Sequence, residues 1–471
     1  MNNQKVKLRM IATLLLFSLL VPANAVESLA AEPTNATALS YEMISAATTG
    51  YFNMCEDTFQ GKLINSSYIT DRYKSTRYPI VESKSYGAAN AVTELHALSN
   101  TRATGILNYI KCVDLRIISW NTFIGEPENV VTLENGEVSC EVYIWTEFEW
   151  FNSDFPNPIQ SGFGTLHTLT LTSDLQVVSD LFDERDISGI NTRIDATAKD
   201  HGDIAHYNAV PCENITPNNI VSSSPIQLIN RSSVVTYANQ YVGNYSASSS
   251  AIQDYSHYNR KYKNYNLSGG DCVNYVSQCL NNAGLPQISN WTYSENGTTC
   301  SDSSHSANNN TSYATHSCTA NDSAGSAWIE TSNFISTMSS AYPSDYDTSP
   351  TVSDFYVGDV GFLCRGSGGV SPYHAFICVG TGSSTFLINA HNNDRKNVAY
   401  SNSTISSMYI SRIHIHSPSS SWLKYNSSYH RSPCNTGCGY SYYGIHYAQI
   451  PGQNATCIGC GYVGYISNGN A

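Results

Sequence analysis

The feature that most constrains the fold is an alternation of apolar residues with Glu and Ser between positions 137 and 150. Its apolar members are Val138, Cys140, Val142, Ile144 and Phe148. Successive side chains of a β-strand point to opposite faces, so this pattern predicts a half-buried antiparallel strand with one face on a core. Two further strands are predicted at 163–171 and 176–182, around the turn Ser173-Asp174.

Two helices are predicted before these strands, because apolar positions recur at helical spacing from 39 to 64 and from 87 to 104. Helices followed by a run of strands predict a compact α+β accessory domain over residues 35–186, similar in general shape to the cone-like folds of the nuclear-transport-factor superfamily. Its isolated histidines, His96 and His167, are interpreted as surface or hydrogen-bonded residues. The domain is therefore predicted to bind or to act as a spacer. Residues 187–229, rich in Asp, Asn, Pro and Ser, are predicted to be a linker.

The segment Gly269-Gly270-Asp271-Cys272 carries the candidate nucleophile. An apolar stripe formed by Val273, Val276 and Leu280 predicts a helix from Cys272 to Ala283. Asp271 is then expected at the N-cap, with its carboxylate accepting the free N–H near Asn274. Cys272 lies in the first turn, where unpaired N–H groups and the helix dipole favour the thiolate. The alternative is a buried or disulfide-bonded cysteine.

A thiolate nucleophile requires a base, and the base requires a group that orients it. His374 opens a predicted buried strand, and the next predicted strand, 385–390, ends in His391. Antiparallel pairing of these strands would bring His374 beside the far end of its neighbour. We expect His391 to orient His374, with Asn389 and Asn392 as the other candidates.

Several segments occur in the order seen in the putative amidase domain family of secreted bacterial proteins, which the chain resembles over residues 231–415. They are Gly269–Leu280, Gly284, Trp291, Trp328, Phe334, Gly358-Asp359-Val360, His374–Ile377 and Ala390–Arg395. That family is similar to papain-like peptidoglycan hydrolases, alongside the CHAP and NlpC-like domains. The resemblance implies a papain-like domain with Cys272 on an N-terminal helix as nucleophile and His374 on an antiparallel sheet as base. It makes His391 the orienting residue and the backbone N–H of Cys272 one oxyanion donor.

The chain departs from the family pattern in two places. Asn392 stands where threonine is expected, and residues 292–326 form a Ser-, Asn- and Thr-rich insertion that contains Cys300 and Cys318. The insertion is either a disulfide-closed loop or a surface excursion. Elsewhere, Asn274 and Gln278 are expected to pack the nucleophile helix. Cys279 and Cys378 fall on apolar stretches and are expected in the core, where they could also pair with each other.

The C-terminal segment contains two short-spaced cysteine pairs, Cys434 with Cys438 and Cys457 with Cys460. Such pairs are typical of a zinc ribbon, in which four thiolates bind one tetrahedral metal ion, so residues 428–466 are predicted to form a zinc-ribbon-like module. His430 and His446 are possible substitutes for a cysteine ligand. Two disulfides closing the same loops are the alternative, because the chain is predicted to be exported.

Export is predicted from the N-terminus. Lys5, Lys7 and Arg9 precede an apolar run from Met10 to Val21 and the small residues Ala23-Asn24-Ala25, which is the order of a signal peptide cleaved after Ala25. The run is shorter than the roughly 20 residues of a membrane span, so no transmembrane anchor is expected. A formal net charge of −13 without a concentrated basic segment argues against nucleic acid as a partner.

The sequence therefore predicts a secreted cysteine-dependent amide hydrolase that needs no cofactor for catalysis and has a structural zinc in its tail. Cell-wall peptide is the substrate class implied by the resemblance. The alternatives are a non-catalytic extracellular binding or adhesion protein with a degenerate amidase core, and a cysteine acyltransferase. The predicted order of domains is signal peptide 1–25, accessory domain 35–186, linker 187–229, amidase domain 230–418 and cysteine-rich tail 428–466.

Overall fold

The structure of the chain is a computed structural model in which Tyr41–Ala471 form one unit. The residues it describes are 39–75, 89–191, 229–243, 258–259, 261–265, 271–295, 299–300, 316–317, 322–342, 344–365, 371–392, 394–417, 419, 423–425, 429–438, 440–445, 453–456 and 463–466. The predicted signal peptide and most of the predicted linker lie outside these ranges.

The described residues form seven α-helices and twenty-three strands. The α-helices are α1 (Tyr41–Ile64), α2 (Ala89–Cys112), α3 (Arg231–Gln240), α4 (Cys272–Asn282), α5 (Ser326–Ile329), α6 (Thr331–Ala341) and α7 (Asn402–Met408). The strands are β1 (Ile69–Ser75), β2 (Arg116–Ile124), β3 (Glu128–Thr132), β4 (Val138–Phe151), β5 (Ile159–Leu171), β6 (Val177–Leu181), β7 (Asp183–Glu184), β8 (Ile190–Asn191), β9 (Tyr293–Ser294), β10 (Thr299–Cys300), β11 (His316–Ser317), β12 (Ser323–Ala324), β13 (Ser344–Asp347), β14 (Val360–Cys364), β15 (Pro372–Thr381), β16 (Thr385–Ala390), β17 (Arg395–Ser401), β18 (Ile410–Ile415), β19 (Leu423–Lys424), β20 (Tyr429–Pro433), β21 (Ser441–Ile445), β22 (Gln453–Thr456) and β23 (Val463–Ile466).

A twelve-stranded mixed sheet organises the fold. Its main order is β1-β2-β4-β5-β17-β16-β15-β14-β18-β13, with β3 beside β4 and β6 beside β5. The β1–β2 pair is parallel, and the other pairs of this sheet are antiparallel. The strand predicted from the alternation at 137–150 is β4, which pairs with β5 along nearly its whole length. The mixed α+β class is thus confirmed.

The sheet continues from the predicted accessory domain into the predicted amidase domain. Arg395 of β17 pairs with Phe163 of β5, and its guanidinium donates to the carbonyl oxygen of Gly164 at 2.7 Å. The same guanidinium forms a buried ion pair with Asp186 at 2.6 Å. The two predicted domains therefore share one sheet and a buried charge pair at their junction.

Two apolar cores lie against this sheet. One contains Trp120, Phe163 and Tyr400 with Phe376 and Cys378 of β15, and the other contains helices α3, α4 and α6 with Ala375 and Ile377 of β15. Alternate residues of β15 thus enter different cores, as the strand period requires. The helix that begins at Cys272, α4, belongs to the second core.

Helix α2 is longer than the sequence predicts, because apolar residues beyond Thr104 continue its buried face. Ile106, Tyr109 and Ile110 are all buried in the first core.

Within the described residues, no helix is long and apolar enough to span a membrane.

Candidate active site

Helix α4 begins at Cys272, as the sequence predicts. Its hydroxyl-bearing side chains attach it to neighbouring elements: Ser277 donates to the Trp328 carbonyl oxygen at 3.1 Å, and Tyr275 donates to the Ala238 carbonyl oxygen at 2.7 Å. Val273, Val276 and Leu280 pack in the second core. The helix is therefore held by packing and hydrogen bonds on several sides, which fixes the position of its first residue.

The Cys272 thiol is buried, with 7% of the residue exposed. Burial raises the pKa of this thiol to about 11, while the backbone of Ala375 acts in the opposite direction by offering a hydrogen bond to the thiolate. Ala375 lies on β15 directly after His374, so the start of α4 abuts the strand that carries the predicted base. At neutral pH the group is a thiol, and it needs a base to become a nucleophile.

Asp271 occupies the N-cap of α4, but its carboxylate does not cap the helix, which corrects the expectation from sequence. Its backbone has φ −105° and ψ 0°, a helical conformation rather than the extended one that directs a side chain at the free N–H groups. The carboxylate instead accepts from the Tyr265 N–H at 2.9 Å and from the Asn274 side-chain amide at 2.7 Å. Its second oxygen lies 2.8 Å from His391 Nδ1.

Both ring nitrogens of His391 have partners near the start of α4. Its Nε2 donates to the carbonyl oxygen of Tyr241 at 2.5 Å, and its ring is stacked between Tyr258 and Tyr275, with centroids 3.7 and 4.0 Å away. The Tyr241 carbonyl oxygen can only accept a hydrogen bond, so Nε2 is the donor there, and Nδ1 faces the Asp271 carboxyl group. The structure therefore brings His391 to Asp271, and not to the ring of His374.

The two other candidates for the orienting residue also lie on this side. Asn392, at φ 58°, accepts the Asp271 N–H at 2.5 Å through its side-chain oxygen. Asparagine tolerates this left-handed conformation better than most residues. Asn389 accepts the Asn397 N–H at 2.7 Å and donates to Asn239 of α3 at 2.8 Å.

His374 lies on β15 opposite Leu363 of β14. Burial and the nearby Arg395 lower its pKa to about 4, with Asp186 acting in the opposite direction. His374 has the same orientation along β15 as Phe376, and both Phe376 and Leu363 pack in the first core. Ala375 has the opposite orientation and packs in the second core with Cys272. Among the described residues no hydrogen bond joins the His374 ring to the Cys272 thiol. The imidazole is neutral at neutral pH and able to accept a proton.

The ion pair between Arg395 and Asp186, near His374, was not predicted from the sequence. Asp186 accepts two hydrogen bonds from Arg395, at 2.6 and 2.7 Å, and one from the Tyr400 hydroxyl at 2.8 Å. Burial works against the ionised carboxyl, yet Arg395 holds the pKa of Asp186 below its ordinary value. Asp186 stands at the edge of the predicted linker, and nothing near it in sequence points to a partner 209 residues away.

The remaining predicted residues of the helix and core behave as packing groups. Asn274 receives a hydrogen bond from the Trp328 indole at 2.8 Å, and Gln278 receives one from the Tyr237 hydroxyl at 2.8 Å. Cys279 and Cys378 are buried and free, so they do not pair with each other. In the insertion, Cys300 pairs with His316 through the backbone, and Cys318 lies outside the described residues.

The predicted zinc ligands of the tail are placed in part. Cys434 and Cys438 lie together with two histidines that sequence reasoning did not select, His414 and His416. Cys457, Cys460 and His446 lie outside the described residues, as does the side chain of His430. The signal in the sequence is the spacing of His414 and His416, because side chains two residues apart point to the same side of extended backbone.

The described site thus contains a buried cysteine at a helix start, a histidine on the adjoining strand β15, and a set of hydrogen-bonded polar groups around the residue before the cysteine. Residues 229–416 match the model of a family described as Putative amidase domain. The match spans the region in which the sequence resembles that family, and it includes Cys272, His374 and His391. A comparison with curated proteins found no match, and a comparison with solved structures found none either.

Proposed function

We propose that this protein is a secreted hydrolase that cleaves amide bonds through a thioester at Cys272, with cell-wall peptide as its substrate. The carrying observation is the position of Cys272, at the first residue of α4 and against β15 at Ala375, within the segment that matches an amidase family. The papain-like arrangement implied by the resemblance has the same two parts, a helix that begins at the cysteine and a strand that carries the histidine. The substrate class and the secretion follow from the resemblance and the N-terminal pattern.

In this mechanism His374 accepts the thiol proton as the sulfur attacks the substrate carbonyl carbon. The carbonyl oxygen becomes an oxyanion, stabilised by the backbone N–H of Cys272. The intermediate then collapses, the C–N bond breaks, and His374 returns the proton to the departing amine. A water molecule, deprotonated by the same histidine, attacks the thioester and releases the acid and the free thiol.

The protonation states favour general-base catalysis over a preformed ion pair. A thiol with a pKa of about 11 and an imidazole with a pKa of about 4 are both neutral at pH 7. The proton therefore moves during the attack. His374 alternates with Ala375 along β15, so its ring lies on the first-core face of the sheet and the Cys272 thiol on the second-core face. Proton transfer in this proposal therefore requires this end of β15 to rearrange when the substrate binds.

His391 acts in this proposal as a positioning residue. With Asn392 it holds Asp271, the residue directly before the nucleophile, at 2.8 Å through the side chain and 2.5 Å through the backbone N–H. This arrangement fixes the direction in which α4 begins. Fixing the nucleophile supports catalysis because small displacements of a reacting atom cost large factors in rate.

The test is digestion of purified peptidoglycan, with the released fragments identified by mass spectrometry. The wild-type chain should release fragments with a new amino and a new carboxyl group at one bond type, and Cys272→Ala should release none. Cys112→Ser, a change at an exposed cysteine of α2, is the matched control and should act like wild type. Binding without cleavage would reject the hydrolase proposal in favour of an adhesion protein, and products joined to an added amine would identify an acyltransferase.

A further inference from the structure

A cluster of four side chains joins the end of β18 to the C-terminal segment. His414 lies on β18 and His416 directly follows it, while Cys434 follows β20 and Cys438 follows the turn at Gly437. One potential ligand atom from each residue lies within 4.8 Å of all the others. His414, His416 and Cys434 are buried, and Cys438 is half-buried. The cluster is thus enclosed, with an approach from solvent at Cys438.

The distances match those between ligands of a tetrahedral metal ion. His414 Nε2 lies 3.7 Å from Cys434 Sγ, and His416 Nδ1 lies 3.4 Å from Cys438 Sγ. With metal–sulfur bonds of about 2.3 Å and metal–nitrogen bonds of about 2.0 Å, a tetrahedral site separates sulfur and nitrogen by roughly 3.6 Å. The four side chains therefore need little movement to surround a single ion.

A carboxylate holds each histidine at the nitrogen that faces away from the sulfur atoms. His414 Nδ1 lies 2.6 Å from Asp359, and His416 Nε2 lies 3.4 Å from Asp345. Histidines that bind metals in proteins usually donate their other ring N–H to a carboxylate in this way, which selects the tautomer and orients the ring. The two carboxylates leave the Nε2 lone pair of His414 and the Nδ1 lone pair of His416 directed into the cluster.

Further contacts support the ligands. The Thr436 hydroxyl lies 3.2 Å from Cys434 Sγ, close enough to donate a hydrogen bond to a thiolate. The ring of Tyr440 stacks on His416, with centroids 4.0 Å apart and planes 5° apart. Cys434 and Cys438 are both free, so the thiols are available as ligands.

We propose that His414, His416, Cys434 and Cys438 form a structural zinc site. Two thiolates and two imidazoles in a tetrahedral cluster are typical zinc ligands, and the two thiolate charges balance the divalent ion. The site differs from the four-cysteine ribbon expected from sequence, since two ligands come from the amidase-matched segment and Cys457 and Cys460 are not required. The proposal goes beyond the proposed hydrolysis and does not depend on it. Zinc here fastens the tail to β18.

The test compares metal binding by variants of the full chain, purified in zinc-containing buffer and analysed for metal content after dialysis. Wild type and the double variant Cys457→Ser/Cys460→Ser should retain about one zinc per chain, as a single tetrahedral site requires. His416→Ala and Cys438→Ser should each lose it. His416→Cys, which supplies another zinc ligand, should restore binding and thereby separates a lost ligand from a misfolded chain.

Cobalt provides an independent measurement. Co²⁺ added to the wild-type apoprotein should give the ligand-field bands of a tetrahedral site and a thiolate-to-cobalt charge-transfer band whose intensity corresponds to two thiolates. Loss of zinc from the Cys457→Ser/Cys460→Ser variant, with retention in His416→Ala, would overturn the proposal in favour of the four-cysteine ribbon. Absence of metal in wild type together with an oxidised Cys434–Cys438 pair would also overturn it.

Discussion

Two buried aspartate–histidine pairs lie in the family-matched segment, and the second nitrogen of each histidine ring has a different partner. Asp271 lies 2.8 Å from His391 Nδ1, and Asp359 lies 2.6 Å from His414 Nδ1, with all four side chains buried. In the first pair the other ring nitrogen donates to the backbone oxygen of Tyr241. In the second it lies 3.7 Å from the Cys434 sulfur.

His391 and His414 have different proposed roles because their second ring nitrogens have different partners. A histidine between a carboxyl group and a carbonyl oxygen has a protein partner at each ring nitrogen, so it can position Asp271 but leaves neither nitrogen directed at a metal site. A histidine between a carboxylate and a thiol keeps the lone pair of its second ring nitrogen available. His374 differs from both, because burial and Arg395 rather than a hydrogen-bonded carboxylate dominate its surroundings.

The largest expected effect comes from replacing Cys272, the cysteine that directly follows Asp271 of the first pair. Cys272→Ala should lower kcat/KM for peptidoglycan fragments by at least about a thousandfold, because removal of a covalent nucleophile leaves only binding and oxyanion stabilisation. Steady-state kinetics against the Cys112→Ser control measures this. Zinc content should be the same in both variants, and a Cys272→Ala chain with wild-type turnover would disprove the thioester mechanism.

The next effect compares the two carboxylates. Asp359 also pairs with Arg231 at 3.0 Å and with Arg412 at 3.2 Å, so Asp359→Asn leaves two arginines and a histidine without their buried anion. We expect a loss of about 3–5 kcal/mol in the free energy of unfolding, measured by urea denaturation with a chelator present. Asp271→Asn removes one charged partner and should cost about 1–3 kcal/mol. A larger loss for Asp271→Asn would show that the arginines contribute little.

The role of His391 predicts a smaller change. His391→Ala should lower kcat by roughly 10- to 100-fold with little change in KM, because Asp271 and the start of α4 lose their fixed position. The acid limb of the pH profile should stay in place, since it belongs to His374. The exposed His96→Ala is the control. An acid limb displaced in His391→Ala would instead indicate that His391 acts directly on the base.

The smallest expected effect is on the pH dependence of the activity. A base works only when unprotonated, and the pKa of His374 is lowered to about 4, so activity should be retained from neutral pH down to that value and lost as the pH falls through it. An unperturbed histidine would give half-loss at about 6.5. Initial rates between pH 3 and 8, with circular dichroism at each pH to detect unfolding, separate the two. Half-loss near 6.5 in a folded chain would contradict the environment described for His374.

Local patterns in the sequence predicted the parts of the site that short segments determine. The start of α4 follows from the apolar stripe after Cys272, and the bounds of β16 follow from a short apolar run. The antiparallel neighbours β15 and β16 are joined by a short loop, so their pairing was also predictable. The mistaken cap at Asp271 shows the limit of this approach, because a buried histidine 120 residues away competes for the carboxylate.

Contacts between residues that are distant in sequence could not be predicted. Neither the pairing of β5 with β17 nor the Asp186–Arg395 ion pair has a local pattern, since periodicity reports which face of an element is buried and not what covers it. The same holds for His414, the last but one residue of β18, and His416, which directly follows that strand. Their role becomes visible only when Cys434 and Cys438 are placed beside them.

The junction of β5 with β17 also has a consequence for the order in which this chain can fold. Gly164 receives its hydrogen bond from a guanidinium 231 residues further along, so during synthesis the β5 edge is finished long before its neighbour exists. A strand edge that waits unpaired is a template for pairing with other chains. The entropic cost of closing a loop rises only slowly with its length, so the long separation of β5 and β17 adds little to that cost. It does lengthen the time during which the β5 edge is unpaired. The time between the synthesis of β5 and that of β17 is therefore the interval in which self-association competes most strongly with folding.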